Sequence, residues 1–255
     1  MQIDRAVVLV TGATGGIGRA LVAEARQRGA TVVGADLPGT ESDIDLDITD
    51  RSAVDRAVAE VVAEHGRLDV VVANAGIGRA GLVEDLSPDD WDRIIDVNIR
   101  GTVHTVDAAY RQMLTQDGGA IALVASLSGL VPTPLLVAYS ASKAAVVGLG
   151  EALRPEAARH GIGVTIACPG PVETPLLDRP SWTAGTEVRR HLVRSAGPAL
   201  APARVAAAVL DGVEAGTAVV VPGRASLLWS LQRHSPRLVR RAVARNLRLE
   251  LDASG

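Results

Sequence analysis

The chain has no phenylalanine, two tyrosines, three tryptophans and one cysteine among its 255 residues. With Cys168 alone, no intrachain disulfide framework and no multi-cysteine metal site can form. No apolar run reaches the roughly 20 residues that a membrane-spanning helix needs. The acidic Asp4 stands where a secretory leader would be basic, so a cytoplasmic location is expected. An excess of charge is missing too. The formal net charge is −3, which directs no global field at nucleic acid or an anionic membrane, and no nucleic-acid partner is expected. The length suits one large α/β domain or two small ones, and is enough to bury a core without disulfide or metal support.

A further scarcity is informative. Lys143 is the sole lysine among 26 basic residues, the rest being arginine, and asparagine occurs at positions 74, 98 and 246 only. Where a chain favours Arg and Ala this strongly, the surviving Lys, Tyr and Asn mark positions at which chemistry forbids a substitute. An arginine fork cannot copy a compact ammonium whose three donors point freely. For Tyr110 and Asn246 chance survival suffices.

Helical and extended signals alternate from the start, which predicts an α/β fold around a parallel sheet. Strands are expected at 6–10, 31–35, 68–73, 120–125, 163–168 and 217–221, all short and apolar. Helices are expected at 17–28, 50–65, 88 to about 115, 138–160 and from about Pro202. Ser87-Pro88-Asp89-Asp90 supplies a capping serine, a proline at the first helical position and acids in the first turn. Residues 37–43 are too few for a crossover helix, so a bare loop is predicted there. Pro155 should kink or end the 138–160 helix.

Thr11-Gly12-Ala13-Thr14-Gly15-Gly16-Ile17-Gly18 falls between a strand and a helix. Glycines there permit a tight turn and let a pyrophosphate approach free N–H groups at the helix start. Asp36 ends the second strand, where a carboxylate can accept hydrogen bonds from both hydroxyls of an adenosine ribose. Tyr139 and Lys143 stand four residues apart, on one helical face. A tyrosine with pKa about 10 is a weak base, and a neighbouring ammonium should pull it toward neutrality. Ser126, after a strand, can hold a carbonyl or alkoxide oxygen while Tyr139 exchanges the proton; Ser128 is its rival. Asn98, a poor helix former inside a predicted helix, could hold a water near Lys143.

Taken in order, these motifs, with Asp47-Ile48, Asn74-Ala75-Gly76 and Pro169-Gly170, make residues 5 to about 222 resemble the short-chain dehydrogenase/reductase superfamily in its single-domain branch. The resemblance implies a Rossmann-type, doubly wound parallel sheet flanked by helices. It implies a tetrad of Asn98, Ser126, Tyr139 and Lys143, with Tyr139 as general acid/base, Ser126 orienting substrate, Lys143 on the nicotinamide ribose and Asn98 holding a relay water. It places Gly12, Gly16, Ile17 and Gly18 at the cofactor phosphates and Asp47 and Ile48 at the adenine. Asn74, Ala75 and Gly76 fall at the adenosine ribose region, and Pro169, Gly170, Val172 and Thr174 at the nicotinamide. A homo-oligomer, tetramer or dimer, is implied through the 87–115 and 138–160 helices.

Asp36 would repel the 2′-phosphate of NADP, and no basic residue stands in the glycine loop or directly after Asp36, so NAD is the expected cofactor. An NADPH-dependent carbonyl reductase and a non-catalytic dinucleotide sensor are the alternatives. Gly76–Gly81, Leu127–Val137 and a lid of about 176–198 should wall the substrate pocket. Leu130, Val131, Leu135, Leu136, Val137, Leu176 and Leu177 make it aliphatic, with no evident charge, which points to a hydrophobic secondary alcohol or ketone. Beyond a domain of 1–223, residues 224–255 form a basic extension. Seven arginines and no acid occur in 224–249, with Val239, Val243 and Leu247 at four-residue spacing. That pattern suits a helix on its own domain, one closing a partner's pocket, or weak contact with a membrane surface.

Overall fold

A computed structural model describes residues 1–116, 118–177 and 188–252. The first apolar run forms strand β1 (Val7–Thr11), buried at every position. Successive strand residues point to opposite faces, so a run that is apolar throughout must be covered on both. It is. Val7 and Leu9 join one core, with Val58, Val61, Val106, Met113 and Val146, while Val8 and Val10 join another, with Leu21, Ala25, Val205, Val209 and Leu210.

The remaining strands are β2 (Thr31–Asp36), β3 (Ile44–Asp45), β4 (Val70–Ala73), β5 (Gly119–Val124), β6 (Ile162–Ala167) and β7 (Val219–Val220). They pair in the order β3-β2-β1-β4-β5-β6-β7, and every pair is parallel. This is the parallel α/β sheet that the alternating pattern predicts, in the doubly wound order that the family resemblance implies. The order reverses between β1 and β4, and at such a switch point a crevice opens beyond the carboxyl ends of the strands.

Helix α1 (Gly16–Gln27) follows β1, and α2 (Arg51–His65) lies on the other face, capped by Asp50, which accepts from Ala53 N–H at 3.2 Å. Residues 37–43 form the predicted loop without a helix. It is tied back where Gly34 N–H donates to the Asp43 carboxylate at 2.7 Å.

The long helix predicted from 88 to 115 is divided. Helix α3 (Pro88–Ile95) opens with the expected capping serine, Ser87, which forms a reciprocal capping box with Asp90. A π-helical stretch, Asp96–Gly101, follows, and then α4 (Thr102–Thr115). The wider turn falls on Asn98.

Helix α5 (Val137–Ala158) passes through Pro155 and continues to Ala158, so the proline does not end it. Helices α6 (Val188–Ala196), α7 (Pro202–Ala215), α8 (Ala225–His234) and α9 (Pro236–Asp252) complete the described chain. Of the predicted lid, residues 178–187 lie outside the described residues.

The extension folds back onto its own chain. Val239 is buried, and with Leu228, Trp229 and Val243 it packs against Leu127 and Val131. The seven arginines of 224–249 are all exposed. Among the described residues, no helix is long and apolar enough to cross a membrane.

Candidate active site

A cleft of about 910 Å³ lies at the switch point, bordered by every catalytic and cofactor residue expected from the sequence except Asn98. Its floor begins at the glycine loop. Gly12 has φ +67°, and a Cβ there would lie 2.7 Å from Ala75 Cα. A Cβ on Gly18 would collide with the Gly12 carbonyl oxygen. Helix α1 starts at Gly16 with no side-chain cap and no acid in its first turn, so its first N–H groups are left for an anion. Ile17 borders the cleft at that turn, and Thr174 closes over Gly16.

Asn74 holds this loop in place. Its amide donates to Thr11 O at 2.9 Å and Gly12 O at 3.1 Å. The Thr11 hydroxyl accepts from Asn74 N–H and Ala75 N–H, both at 3.2 Å. Asn74 therefore positions the loop as well as bordering the cleft.

Asp36 is more occupied than the sequence suggests. Its Oδ2 accepts from Thr14 N–H at 2.8 Å and from the Thr14 hydroxyl at 2.6 Å, and its Oδ1 accepts from Leu37 N–H at 2.8 Å. A carboxylate offers about four acceptor directions, so room remains for about one further donor, not for both ribose hydroxyls. Asp47 is likewise turned inward to its own loop, accepting from Thr49 N–H at 2.9 Å and the Thr49 hydroxyl at 2.8 Å. Ile48 is buried beneath Gly101 and leaves an apolar wall.

At the other end of the cleft Lys143, 4% exposed, donates to Val124 O at 2.9 Å. Its Nζ lies 5.7 Å from the centroid of the Tyr139 ring. Burial pulls the Lys143 ammonium down from 10.5 to about 8. The Tyr139 phenol moves the opposite way to the expectation. Burial beside Ala80, Leu136, Val188 and Leu192 raises its pKa, and a hydrogen bond with the Ser126 side chain opposes that rise. Without a dinucleotide the phenol stays protonated at neutral pH, because desolvation outweighs the Ser126 hydrogen bond. Behind them Cys168 is fully buried, which pushes its thiol up to about 12.

Ser126, not Ser128, meets the phenol. Ser128 instead donates its backbone N–H to the Ser126 Oγ at 3.1 Å and so orients that hydroxyl. Asn98 stands behind the cleft, wholly buried. Its Oδ1 accepts from Ile77 N–H at 2.8 Å, and its Nδ2 donates to Ile77 O at 2.8 Å and to the Ser142 hydroxyl at 3.0 Å. Both amide hydrogens are thus spent inside the protein, and only a second lone pair on Oδ1 is left for a water.

Pro169, Gly170, Val172 and Thr174 form the rim after β6, where Ala225 of α8 packs against Gly170. Of the expected aliphatic wall, Val131, Leu136, Leu176 and Leu177 border the cleft. Leu130 packs into the core, Leu135 is buried at φ +65°, and Val137 is 43% exposed, so none of these three lines it. The wall is not free of charge either: Arg79, Asp92, Arg93 and Asp96 border it, with Arg79 paired to Asp90 at 2.6 Å. Sequence reasoning missed Thr14, Ser142 and His191. The first two lie inside motifs already singled out; nothing local distinguishes the third.

The short chain dehydrogenase family model matches residues 6–182. The chain is 35% identical over 194 residues to the 3-oxoacyl-(acyl-carrier-protein) reductase FabG of Thermotoga maritima, covering 70% of this chain and 79% of that protein. It is 36% identical over 213 residues to a 3beta-hydroxysteroid dehydrogenase of Mediterraneibacter gnavus, covering 77% of each. The solved structure of a short chain dehydrogenase from Burkholderia cenocepacia in complex with NADP superposes with a TM-score of 0.78 at 27% identity, over 95% of this chain and 98% of that one.

Proposed function

Since the chain belongs to the short-chain dehydrogenase/reductase family and is an oxidoreductase with a nicotinamide-dinucleotide fold, we propose that it transfers a hydride between NAD(H) and a hydrophobic secondary alcohol or its ketone. The observation that carries the reading is the meeting of Ser126, Tyr139 and the sole lysine at one end of the cleft. The residues fit the dinucleotide. Gly12 and Gly18 admit no side chain, α1 presents an uncapped N-terminus, and Lys143 spends one of its three hydrogens on Val124 O.

Gly16, Ile17 and Gly18 would hold the phosphates, Asp36 the ribose, Asp47 and Ile48 the adenine, and Val172 and Thr174 the nicotinamide end. When bound, the dinucleotide accepts or supplies the hydride. The protein's part is the proton and the geometry. Ser126 donates its hydroxyl hydrogen to the substrate oxygen, and Tyr139 Oη exchanges a proton with that oxygen, giving it in reduction and taking it in oxidation. Lys143 would stabilise the phenolate when it forms and, with its remaining hydrogens, would hold the nicotinamide ribose. Asn98 fixes the backbone of Ile77 and the helix that carries Tyr139 and Lys143.

NAD is favoured over NADP by the Asp36 carboxylate beside the ribose position, which a 2′-phosphate would meet as a like charge. One observation favours a second reading, an NADPH-dependent carbonyl reductase: Arg19, directly after the glycine loop, also borders the cleft. A parallel fluorescence titration with NADH and NADPH separates the two. Tight NADH and weak NADPH binding are expected; the reverse order would assign the reductase, and binding of neither would end the dehydrogenase reading. A homo-oligomer through α3, α4 and α5 is part of the same proposal. It draws support from Ile95, Val103 and Leu114, which are large, apolar and exposed there, and light scattering tests it.

A further inference from the structure

Helix α6 crosses the apolar part of the cleft, where its Val188 and Leu192 pack with Ala80, Leu136 and Tyr139. Between them His191 borders the same cleft and is 1% exposed. Neither of its ring nitrogens has a hydrogen-bond partner among the described residues. Buried polar groups nearly always find partners, because lost hydration must be replaced. A buried imidazole left unpaired beside a ligand cleft is an arrangement that a ligand can complete.

The helix that presents it is held from behind. Glu250 of α9 is fully buried and accepts from Arg190 at 2.7 and 3.2 Å, with Arg194 at 3.9 Å. The basic extension thus anchors α6 from one side while Leu228 of α8 and Val243 of α9 line the cleft on the other. Burial also lowers the His191 pKa, so the ring is neutral at pH 7 and offers one donor and one acceptor.

We propose that His191 is a substrate-recognition residue that hydrogen-bonds a second oxygen, hydroxyl or carbonyl, at the end of an apolar substrate away from the oxygen reacting at Tyr139. This rests on the hydride-transfer reading and narrows its substrate class to apolar skeletons carrying two separated oxygen functions. A site built to bond a hydroxyl discriminates strongly against the analogue that lacks it, since the buried partner is then left unpaired. An aliphatic wall alone would discriminate weakly and in the opposite sense.

The test uses a matched pair of probes, a decalone and the hydroxydecalone with its hydroxyl on the distal ring, with the full chain and NADH or NADPH. The hydroxydecalone should be preferred in kcat/KM by at least about 10-fold, chiefly through KM. His191→Leu should bring that ratio near one, and His191→Gln, which keeps a donor and an acceptor, should recover part of it. Nitrogen-15 spectra of the histidine rings give a readout that needs no turnover. The resonance lost in His191→Leu should move on adding the hydroxydecalone and stay in place with the decalone. Equal turnover of both ketones with an unmoved ring resonance would overturn the proposal and leave the oxidoreductase reading intact. A selective ring shift without turnover under either nucleotide would keep His191 as a ligand site and remove the reaction assigned to it.

Discussion

Asn98 Nδ2 donates to the Ser142 hydroxyl at 3.0 Å, and that hydroxyl donates onward to Tyr139 O at 2.7 Å. The π-helical turn and the helix bearing Tyr139 and Lys143 are thereby joined by one hydrogen-bonded relay inside the protein. Asn98→Ala would cut it and leave the Ile77 N–H and C=O without their partners. Urea unfolding should show a loss of about 2–4 kcal/mol, and kcat should fall with it. Ser142→Ala should cost about 1–2 kcal/mol, since it removes both bonds of the relay but leaves Asn98 on Ile77.

Tyr139→Phe keeps the ring that packs near Lys143 and removes the oxygen. Turnover should fall by about 10³-fold, within the usual range for a positioned acid/base group. The NADH dissociation constant should stay within about 2-fold, because no ring contact is lost. Undiminished turnover would place the proton exchange elsewhere.

Asp36 holds the loop and, in the function proposed above, also faces the cofactor ribose. Asp36→Ala removes the like charge facing a 2′-phosphate and also frees Thr14 N–H and Leu37 N–H. The NADH-over-NADPH affinity ratio should fall by at least about 10-fold, and stability by about 1–3 kcal/mol. An unchanged ratio would take Asp36 out of the ribose site.

Alkaline pH should act on the dinucleotide-free protein in two opposing ways. Lys143 titrates at about 8 when folded against 10.5 when exposed, so from pH 8 upward the unfolded chain holds the extra proton and stability rises. The gain is roughly 1 kcal/mol per pH unit. Cys168 titrates at about 12 when folded against 9.0 when exposed, so above pH 9 the folded chain holds the extra proton and stability is lost at a similar rate. Urea midpoints should therefore climb from pH 8 to 9, level off, and fall beyond pH 10.5, where the Lys143 gain is complete. The raised Tyr139 pKa adds to that fall. Cys168→Ala should flatten the descending limb.

The five central strands were legible because each is buried on both faces and so reads as an unbroken apolar run. Strand β3 was not: Ile44–Asp45 pairs with only Ala35 and Asp36, too short to leave a pattern. Hydrophobic spacing showed one helix from 88 to 115, since a single wide turn changes the register too little to register in composition. Asn98 was the one local hint of it. The sparing use of Lys pointed straight at Lys143, but the phenol's raised pKa depends on how closely four apolar side chains from three segments gather around it. The bond between Arg190 and Glu250 joins positions 60 residues apart and has no trace in either neighbourhood. The valines at 239 and 243 did show which face of α9 turns inward, whereas the arginines between them said nothing of where the helix would dock.

The sole lysine is 4% exposed at the innermost end of the cleft. Reagents that seek side-chain amines therefore have a single address in the folded chain, and a bound dinucleotide would stand in the way of it. Lysine-directed proteases, and acylating labels once reaction at the N-terminal amine is set apart, become for this molecule gauges of whether that one position is open.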